Sequence, residues 1–363
     1  MKPTIFYSEL FCGAGGMSLG AKWAAQELGF DLRHVFAVDN NAAATDTYQR
    51  NIAPLDNGSK IRAVPMRFHD TGIEYTQGAN NGVLFADIRN ARFRGLFDGA
   101  IGVKILAFGF PCNDFSVINK QGRKEGINGE FGSLYKEAAR ALRELKPDYF
   151  VAENVEGILS ANGGKALAEI LSEFRAAGYD VTYKLFNCAD LGVPQNRKRV
   201  FFYGAQEVLS DLEFHTLFNR VSRVKRRITA GEALADIPAG AANHEKKKHR
   251  KETIAAFASL PQGASVKSSG GFARYVRQSG DLPSPTIRAM GKRNGEAPLI
   301  HYGEDRYLTN REKARIQSFP DDFVFCGNRA EVATQIGMAV PPIAACEIMK
   351  PLFEYAVKKR KKQ

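Results

Sequence analysis

A cysteine stands just past the end of an apolar run. Residues 104–110, "KILAFGF", read as a buried strand, and "PCNDFS" follows at once. A structural cysteine belongs inside such a run, whereas Cys112 comes after it, where a thiol can meet a substrate. The reactive form of a thiol is its thiolate, a small fraction near neutral pH, so cationic surroundings help it. Glu153 closes another apolar run, "DYFVAENV". Arg197 and Arg199, in "VPQNRKRVFF", are two apart and would share one face of a strand, with Val200 to Phe202 buried behind them. Two cations there could hold a carbonyl or phosphate and keep a carboxylate or thiolate in place. Taken alone, "RKR" reads better as a surface strand with solvated charges.

A second set of residues suits a nucleoside. Residues 11–16, "FCGAGG", join a strand to a helix. Glycines there let backbone approach a ligand closely, and the helix N-terminus favours negative groups. The turn is not the GxGxxG fingerprint. Asp39 ends the next strand, 23 residues after Gly16, where an acid can hold both ribose hydroxyls or merely cap the following helix. Asp87, in "LFADI", ends a further short apolar run and could accept from an adenine amino group or cap a turn.

These positions need a frame. "TIFYSELF", "HVFAVD", "KILAFGF" and "DYFVAEN" read as strands; "GGMSLGAKWAAQELG", "AAATDTYQRN" and "SLYKEAARALRELK" read as the helices between them. Such alternation predicts an α/β fold, a doubly wound and mostly parallel sheet. A right-handed crossover sets the strands before Cys112 and Glu153 side by side, with their carboxyl ends on one ligand-binding rim. "VTYKLFN" and "VPQNRKRVFFYGA" then read as strand, turn, strand. Residues 52–82 look like an irregular insert, and after about residue 205 clear periods are lost. Regularity returns with "TNREKARIQSF" and a last helical stretch, "RAEVATQIGM" through "PPIAACEIMKPLFEYA".

The totals agree with this. The 363 residues allow one large domain plus a smaller one, or two comparable ones. Lys+Arg 51 against Asp+Glu 39 gives a net charge of +12, which favours an anionic partner, nucleic acid first. Positive charge is dense at 220–227, "RVSRVKRR", and at 246–251, "KKKHRK"; the terminal "KKRKKQ" reads as a frayed, solvated tail. The five cysteines are scattered, with no CxxC, so neither a disulfide framework nor a metal site is expected. No apolar run reads as a membrane span and "MKPTIFYSEL" is no signal peptide, so a cytoplasmic protein with no membrane partner is expected.

Six pieces in order complete the pattern: "FCGAGG", "GFPCNDFS", "ENV", "QNRKR", "LTNREKARIQSFPDDF" and "QIGMAVPP". Together the set resembles the DNA (cytosine-5)-methyltransferase family, of the single-chain bacterial or phage type. The likeness covers residues of about 5 to 350, apart from 52–82 and 205–280.

The resemblance implies a Rossmann-like, S-adenosylmethionine-dependent enzyme that flips a cytosine out of double-stranded DNA and methylates its carbon 5. Cys112 becomes the nucleophile on carbon 6, and Glu153 the partner of the cytosine amino group and ring nitrogen 3. Arg199 becomes the contact to the carbonyl oxygen, with Arg197 supporting the site. For the cofactor it implies Phe11 on adenine, Gly13, Gly15 and Gly16 at the methionine end, and Asp39 on the ribose. Asp87 then meets the adenine amino group beside Ile88, with Pro111 and Met338 lining the same cleft. Asn113, Ser116, Arg274, Arg277, Thr286 and Arg288 become DNA contacts, with Lys292 and Arg293 as further candidates. A glycine-rich loop over 113–131 would close over flipped DNA. Expected domains are 1–204 plus 325–363 for catalysis, 205–305 for target recognition and 306–324 as a hinge. A monomer, S-adenosylhomocysteine as product, no metal and a cognate restriction endonuclease complete the expectation. Three positions depart from the family's pattern: Met338 replaces Asn, Asn113 replaces Gln, and Asn40 replaces a large apolar residue. A silent DNA-binding relative is the second reading. An RNA-acting enzyme is weakened by the lack of cysteine between Cys188 and Cys326, and a nicotinamide enzyme by the missing fingerprint.

Overall fold

A computed structural model describes residues 2–52, 82–85, 87–110, 134–267, 273–289 and 299–362, with backbone alone for 82–85, Asn90, Lys267, Ala273 and Arg274. The first strands alternate with helices as expected: β1 (Thr4–Leu10), α1 (Gly16–Glu27), β2 (Asp31–Asp39), α2 (Ala42–Asn51), β3 (Gly82–Phe85), β4 (Val103–Gly109), α3 (Leu134–Leu145) and β5 (Tyr149–Val155). They continue with α4 (Lys165–Ala176), β6 (Tyr179–Asn187), β7 (Lys198–Gln206) and the short helices α5 (Leu212–Thr216), α6 (Ala230–Leu234) and α7 (Lys251–Ala258). Then come β8 (Ser265–Lys267), β9 (Ala273–Arg277), β10 (Leu299–Ile300), α8 (Asn310–Ile316), α9 (Arg329–Met338) and α10 (Pro342–Arg360).

Seven strands form one sheet in the order β3-β2-β1-β4-β5-β7-β6. The pairs from β3 through β5 are parallel, and β7 runs antiparallel to β5. The α/β, mostly parallel sheet read from the sequence is therefore the observed one. Burial follows periodicity. Tyr135, Ala138, Ala139, Leu142 and Leu145 make one buried face of α3, at helical spacing. Phe108 packs on Phe150 at 5.3 Å and edge-on to Phe174 at 5.7 Å, and Phe110 meets Phe174 edge-on. Each such side chain contributes roughly 1.5–3 kcal/mol by leaving water.

The chain divides into two compact units. The first is Met1–Phe186, Lys198–Ser222 and Ala345–Gln363; the second is Asn187–Arg197 and Arg223–Ala344. This division assigns 187–197 and 306–344 to the second unit, whereas the sequence reading placed 187–197 and 325–344 with the catalytic part and 306–324 in a hinge. The sequence shows few clear periods in the middle of the chain; the second unit carries a three-stranded sheet there, β10-β9-β8.

Two other expectations change. The basic C-terminal run is no frayed tail: α10 continues to Arg360, Lys358 pairs with Glu213 at 2.9 Å, Lys359 with Asp211 at 2.7 Å, and Arg360 donates to the Gly102 carbonyl at 2.8 Å. An 18-residue part of Arg329–Arg360 is apolar and long enough to cross a membrane by length and composition, yet 72% of it is buried, as in a core helix. All but the ends of the expected 52–82 insert, the 113–131 loop, and Pro111, Cys112, Asn113, Ser116, Lys292 and Arg293 lie outside the described residues.

Candidate active site

Parallel strands end on a common rim. β1, β2, β3, β4 and β5 deliver to it, in turn, the residues after Leu10, Asp39, the residues after Phe85, Gly109 and Glu153. The antiparallel direction of β7 brings its start, rather than its end, to that rim. Val155 pairs with Arg199 and Glu153 with Phe201, so Glu153 and Arg199 are diagonal neighbours on one face. Their ion pair is 2.7 Å long, Arg199 Nε donating to Glu153 Oε1, with side chains only 14% and 11% exposed. Arg199 Nη1 also donates to the Lys198 carbonyl at 2.8 Å.

Register then explains a glycine. Gly109 lies beside Glu153, and a Cβ built on it would sit 3.3 Å from Glu153 Oε2. The carboxylate occupies the room that a side chain would need. Asn154, next in the chain and buried, donates from Nδ2 to the Phe110 carbonyl at 3.2 Å. This amide thus holds the chain just past the end of the strand, two residues before Cys112.

The glycine turn is built just as specifically. Cys12 N–H donates to the Val38 carbonyl at 3.1 Å, and Gly15 N–H to the Cys12 carbonyl at 2.9 Å. Phe11 and Gly13 have φ of 53° and 51°, the left-handed region that L side chains seldom adopt. At Gly15, φ is 89°, and a Cβ would lie 2.7 Å from Ile52 and 2.9 Å from Tyr48. Gly13 faces open space instead. Asp39 accepts from Gly13 N–H at 2.8 Å and from Asn41 N–H at 2.9 Å. It therefore clamps the turn, while the N-cap of α2 is Asn41 rather than Asp39. Burial raises the Asp39 carboxyl above its ordinary value. Asp87 caps the short 3-10 turn Ile88–Asn90 and pairs with Arg89 at 2.5 Å, which holds its carboxyl low. Ile88 is a core residue, 5% exposed.

Sequence reasoning missed a buried carboxyl beneath this turn. Glu9, 2% exposed, accepts from Ser18 Oγ and from Tyr7 Oη at 3.3 Å, and Ser18 Oγ is 2.6 Å from Tyr48 Oη. Burial pushes Glu9 up to about 8. The only signal was an acid inside a strand that is otherwise free of charge.

The second unit corrects two assignments. Arg197 precedes β7 rather than lying on it, so strand alternation does not put it on one face with Arg199. It is 1% exposed, and its guanidinium donates to the carbonyls of Ile287 at 2.9 Å, Gly337 at 3.0 Å and Ala339 at 3.1 Å. This is a framework role, and the guanidinium is turned into the unit rather than toward a phosphate. Arg277, expected to touch DNA, is 6% exposed; it donates to the carbonyls of His301, Tyr302 and Phe257 and pairs with Asp305. Arg288 is exposed, Thr286 donates to the Asn196 carbonyl at 2.6 Å, and Arg274 lies on β9 with its side chain outside those described. Met338 ends α9 and is 60% exposed. Gln195 joins several motif pieces: its amide donates to Gln317 at 2.7 Å and accepts from Ile287 N–H at 2.9 Å, while Gln317 donates to the Ile336 carbonyl at 2.6 Å.

A family model for the C-5 cytosine-specific DNA methylase matches residues 6–354. The chain belongs to the C-5 cytosine-specific DNA methylase family. It is 34% identical over 367 residues to the Type II methyltransferase M.BbvI of Brevibacillus brevis, covering 95% of this chain and 90% of that one. It is 39% identical to the Type II methyltransferase M.NgoFVII of Neisseria gonorrhoeae, covering 97% and 87%. Among solved structures, a protein from an Escherichia coli prophage described as a DNA modification methyltransferase superposes with a TM-score of 0.71 at 22% identity, covering 96% of this chain and 99% of that one. The Dnmt2 methyltransferase of S. pombe superposes at 0.62 and 15% identity, over 96% and 98%. This methylase is thus a sequence-specific DNA cytosine-5 methyltransferase, and such enzymes use S-adenosylmethionine. Its first unit suits that cofactor: an open Gly13 backbone, a half-buried Phe11 beside it, and carboxylates at the ends of the next two strands.

Proposed function

We propose that this methylase acts through Cys112, Glu153 and Arg199 on a cytosine flipped out of duplex DNA. The observation that supports this reading is the Glu153–Arg199 pair, seated beside Gly109, which itself stands three residues before Cys112 in sequence. Carbon 5 of cytosine is too weak a nucleophile to be methylated unaided. Addition of the Cys112 thiolate to carbon 6 loads electron density onto carbon 5. Glu153 accepts from the 4-amino group and shares a proton with ring nitrogen 3, an interaction that strengthens as negative charge builds on the ring. Arg199 holds Glu153 in place and reaches the carbonyl oxygen. Loss of the carbon 5 proton and departure of the thiolate then restore the aromatic ring.

When bound, S-adenosylmethionine supplies the electrophilic methyl on a sulfonium sulfur. Phe11 packs on adenine, Gly13, Gly15 and Gly16 give backbone to the methionine end, Asp39 holds the ribose, and Asp87 with Ile88 meets the adenine amino edge. Pro111 and Met338 complete the cofactor set; Asn113, Ser116, Arg274, Thr286 and Arg288 contact DNA, with the second unit as target reader. The enzyme works as a metal-free monomer in the cytoplasm, alongside an endonuclease for the same site.

Base-resolution sequencing of 5-methylcytosine in unmethylated plasmid treated with the protein and S-adenosylmethionine tests the reading. One short recurrent methylated motif is expected. Cys112→Ala should abolish turnover and leave DNA binding intact; turnover that survives would remove Cys112 from the mechanism.

A further inference from the structure

Asp87 and Ile88 follow a four-residue strand at the edge of the sheet, a weak anchor for residues that must meet a ligand accurately. Their support comes from α3. Arg140 Nη2 donates to the Ile88 carbonyl at 2.8 Å, and Nη1 to the Ala91 carbonyl at 2.9 Å, so one guanidinium spans the 3-10 turn that Asp87 caps. Two carboxylates on the same helix aim that guanidinium: Glu137 takes Nε at 2.8 Å and Glu144 takes Nη1 at 2.9 Å. The other oxygen of Glu144 accepts from Phe93 N–H at 3.0 Å, and the guanidinium lies 5.4 Å from the centre of the Phe93 ring. Phe93 in turn stacks on Phe36 of β2, the strand that ends in Asp39.

We propose that Arg140 is a positioning residue for the cofactor, setting the Asp87–Ile88 turn at the depth that the adenine edge requires. This rests on the reading that Asp87 and Ile88 meet adenine. Arg140 itself touches no substrate. Charge-assisted donation to two carbonyls from the separate nitrogens of a rigid planar fork is what a guanidinium provides and an ammonium does not. Because α3 is also the first described helix after residues 111–133, the cofactor turn is held by the same helix into which the segment carrying Cys112 leads.

The test is calorimetric binding of S-adenosylhomocysteine to Arg140→Met, Arg140→Lys and Asp87→Ala, with KM and kcat measured in parallel. Arg140→Met should weaken binding and raise the cofactor KM by roughly tenfold, while kcat at saturating cofactor stays within about threefold and DNA affinity holds. Arg140→Lys should recover only part of the loss. If Arg140→Met proves unstable, Glu144→Gln, which loosens the clamp without removing it, should give a smaller shift in the same direction. Unchanged binding in a folded Arg140→Met, with Asp87→Ala impaired, overturns the positioning role and leaves the adenine reading standing. Unchanged binding in Asp87→Ala overturns both.

Discussion

At the scale of single residues, the site depends on charges that are held rather than free. Glu153 and Arg199 form a short, largely buried pair, and removing one partner leaves the other charge poorly compensated. On the proposed role, Glu153→Gln keeps the shape but ends the strengthening hydrogen bond to the ring. We expect kcat to fall by roughly 10²–10³-fold with the Kd for DNA nearly unchanged, measured by methyl transfer and by fluorescence anisotropy. A loss of under about threefold would mean that Glu153 only braces Arg199. Arg197 shows how residue type misleads. An arginine two positions from a catalytic candidate reads as its helper, yet three backbone carbonyls take its donors. Sequence spacing does not reveal where a strand begins, and β7 begins one residue later, at Lys198.

At the scale of elements, register carries the chemistry. Gly109→Ala places a methyl at about the Cβ position 3.3 Å from Glu153 Oε2, tighter than ordinary contact. The backbone is otherwise unaffected, so kcat should drop by roughly tenfold while S-adenosylhomocysteine binding stays at the wild-type value. Beneath the glycine turn, β1, α1 and α2 meet at Glu9, Ser18 and Tyr48. Glu9 titrates near 8 in the folded chain and near 4.5 when unfolded. Between those values the folded state keeps a proton that the unfolded chain has lost. Stability from this group is thus full below the lower value and declines as pH rises toward the upper one. Glu9→Gln mimics the protonated acid, so its Tm should change less than wild type's between about pH 5 and about pH 8, and should exceed it at the alkaline end. Parallel curves for the two proteins would exclude a neutral Glu9.

At the scale of the whole molecule, the net charge of +12 fits a polyanionic substrate, but individual cations divide into two kinds. Buried Arg277 ties β9 to four acceptors in the second unit, and exposed Arg288 is available to a phosphate or a base. Arg277→Met should therefore cost about 3 kcal/mol or more in thermal unfolding. Arg288→Ala should leave Tm alone and weaken DNA binding, lowering the salt-dependence slope by about one if its partner is a phosphate. Even the basic stretches are partly neutralised, with Arg226 paired to Glu232 and Arg227 to Asp190, both at 2.7 Å.

The sequence by itself determined the α/β alternation, because apolar period and glycine punctuation are local properties. It also determined the family, because six motif pieces recur in order. The rim shared by the strands before Cys112 and Glu153 was legible from the crossover rule, but the place of Arg199 beside Glu153 followed from the reversal of β7 and its register, which no local pattern encodes. Only tertiary structure decided that Arg197 and Arg277 are framework cations, since their carbonyl acceptors lie tens of residues away along the chain. The same holds for Glu9 and Arg140: local neighbours aim each group, but Ser18 and Tyr48 beneath the one and the Ile88 and Ala91 carbonyls before the other are brought to it only by folding.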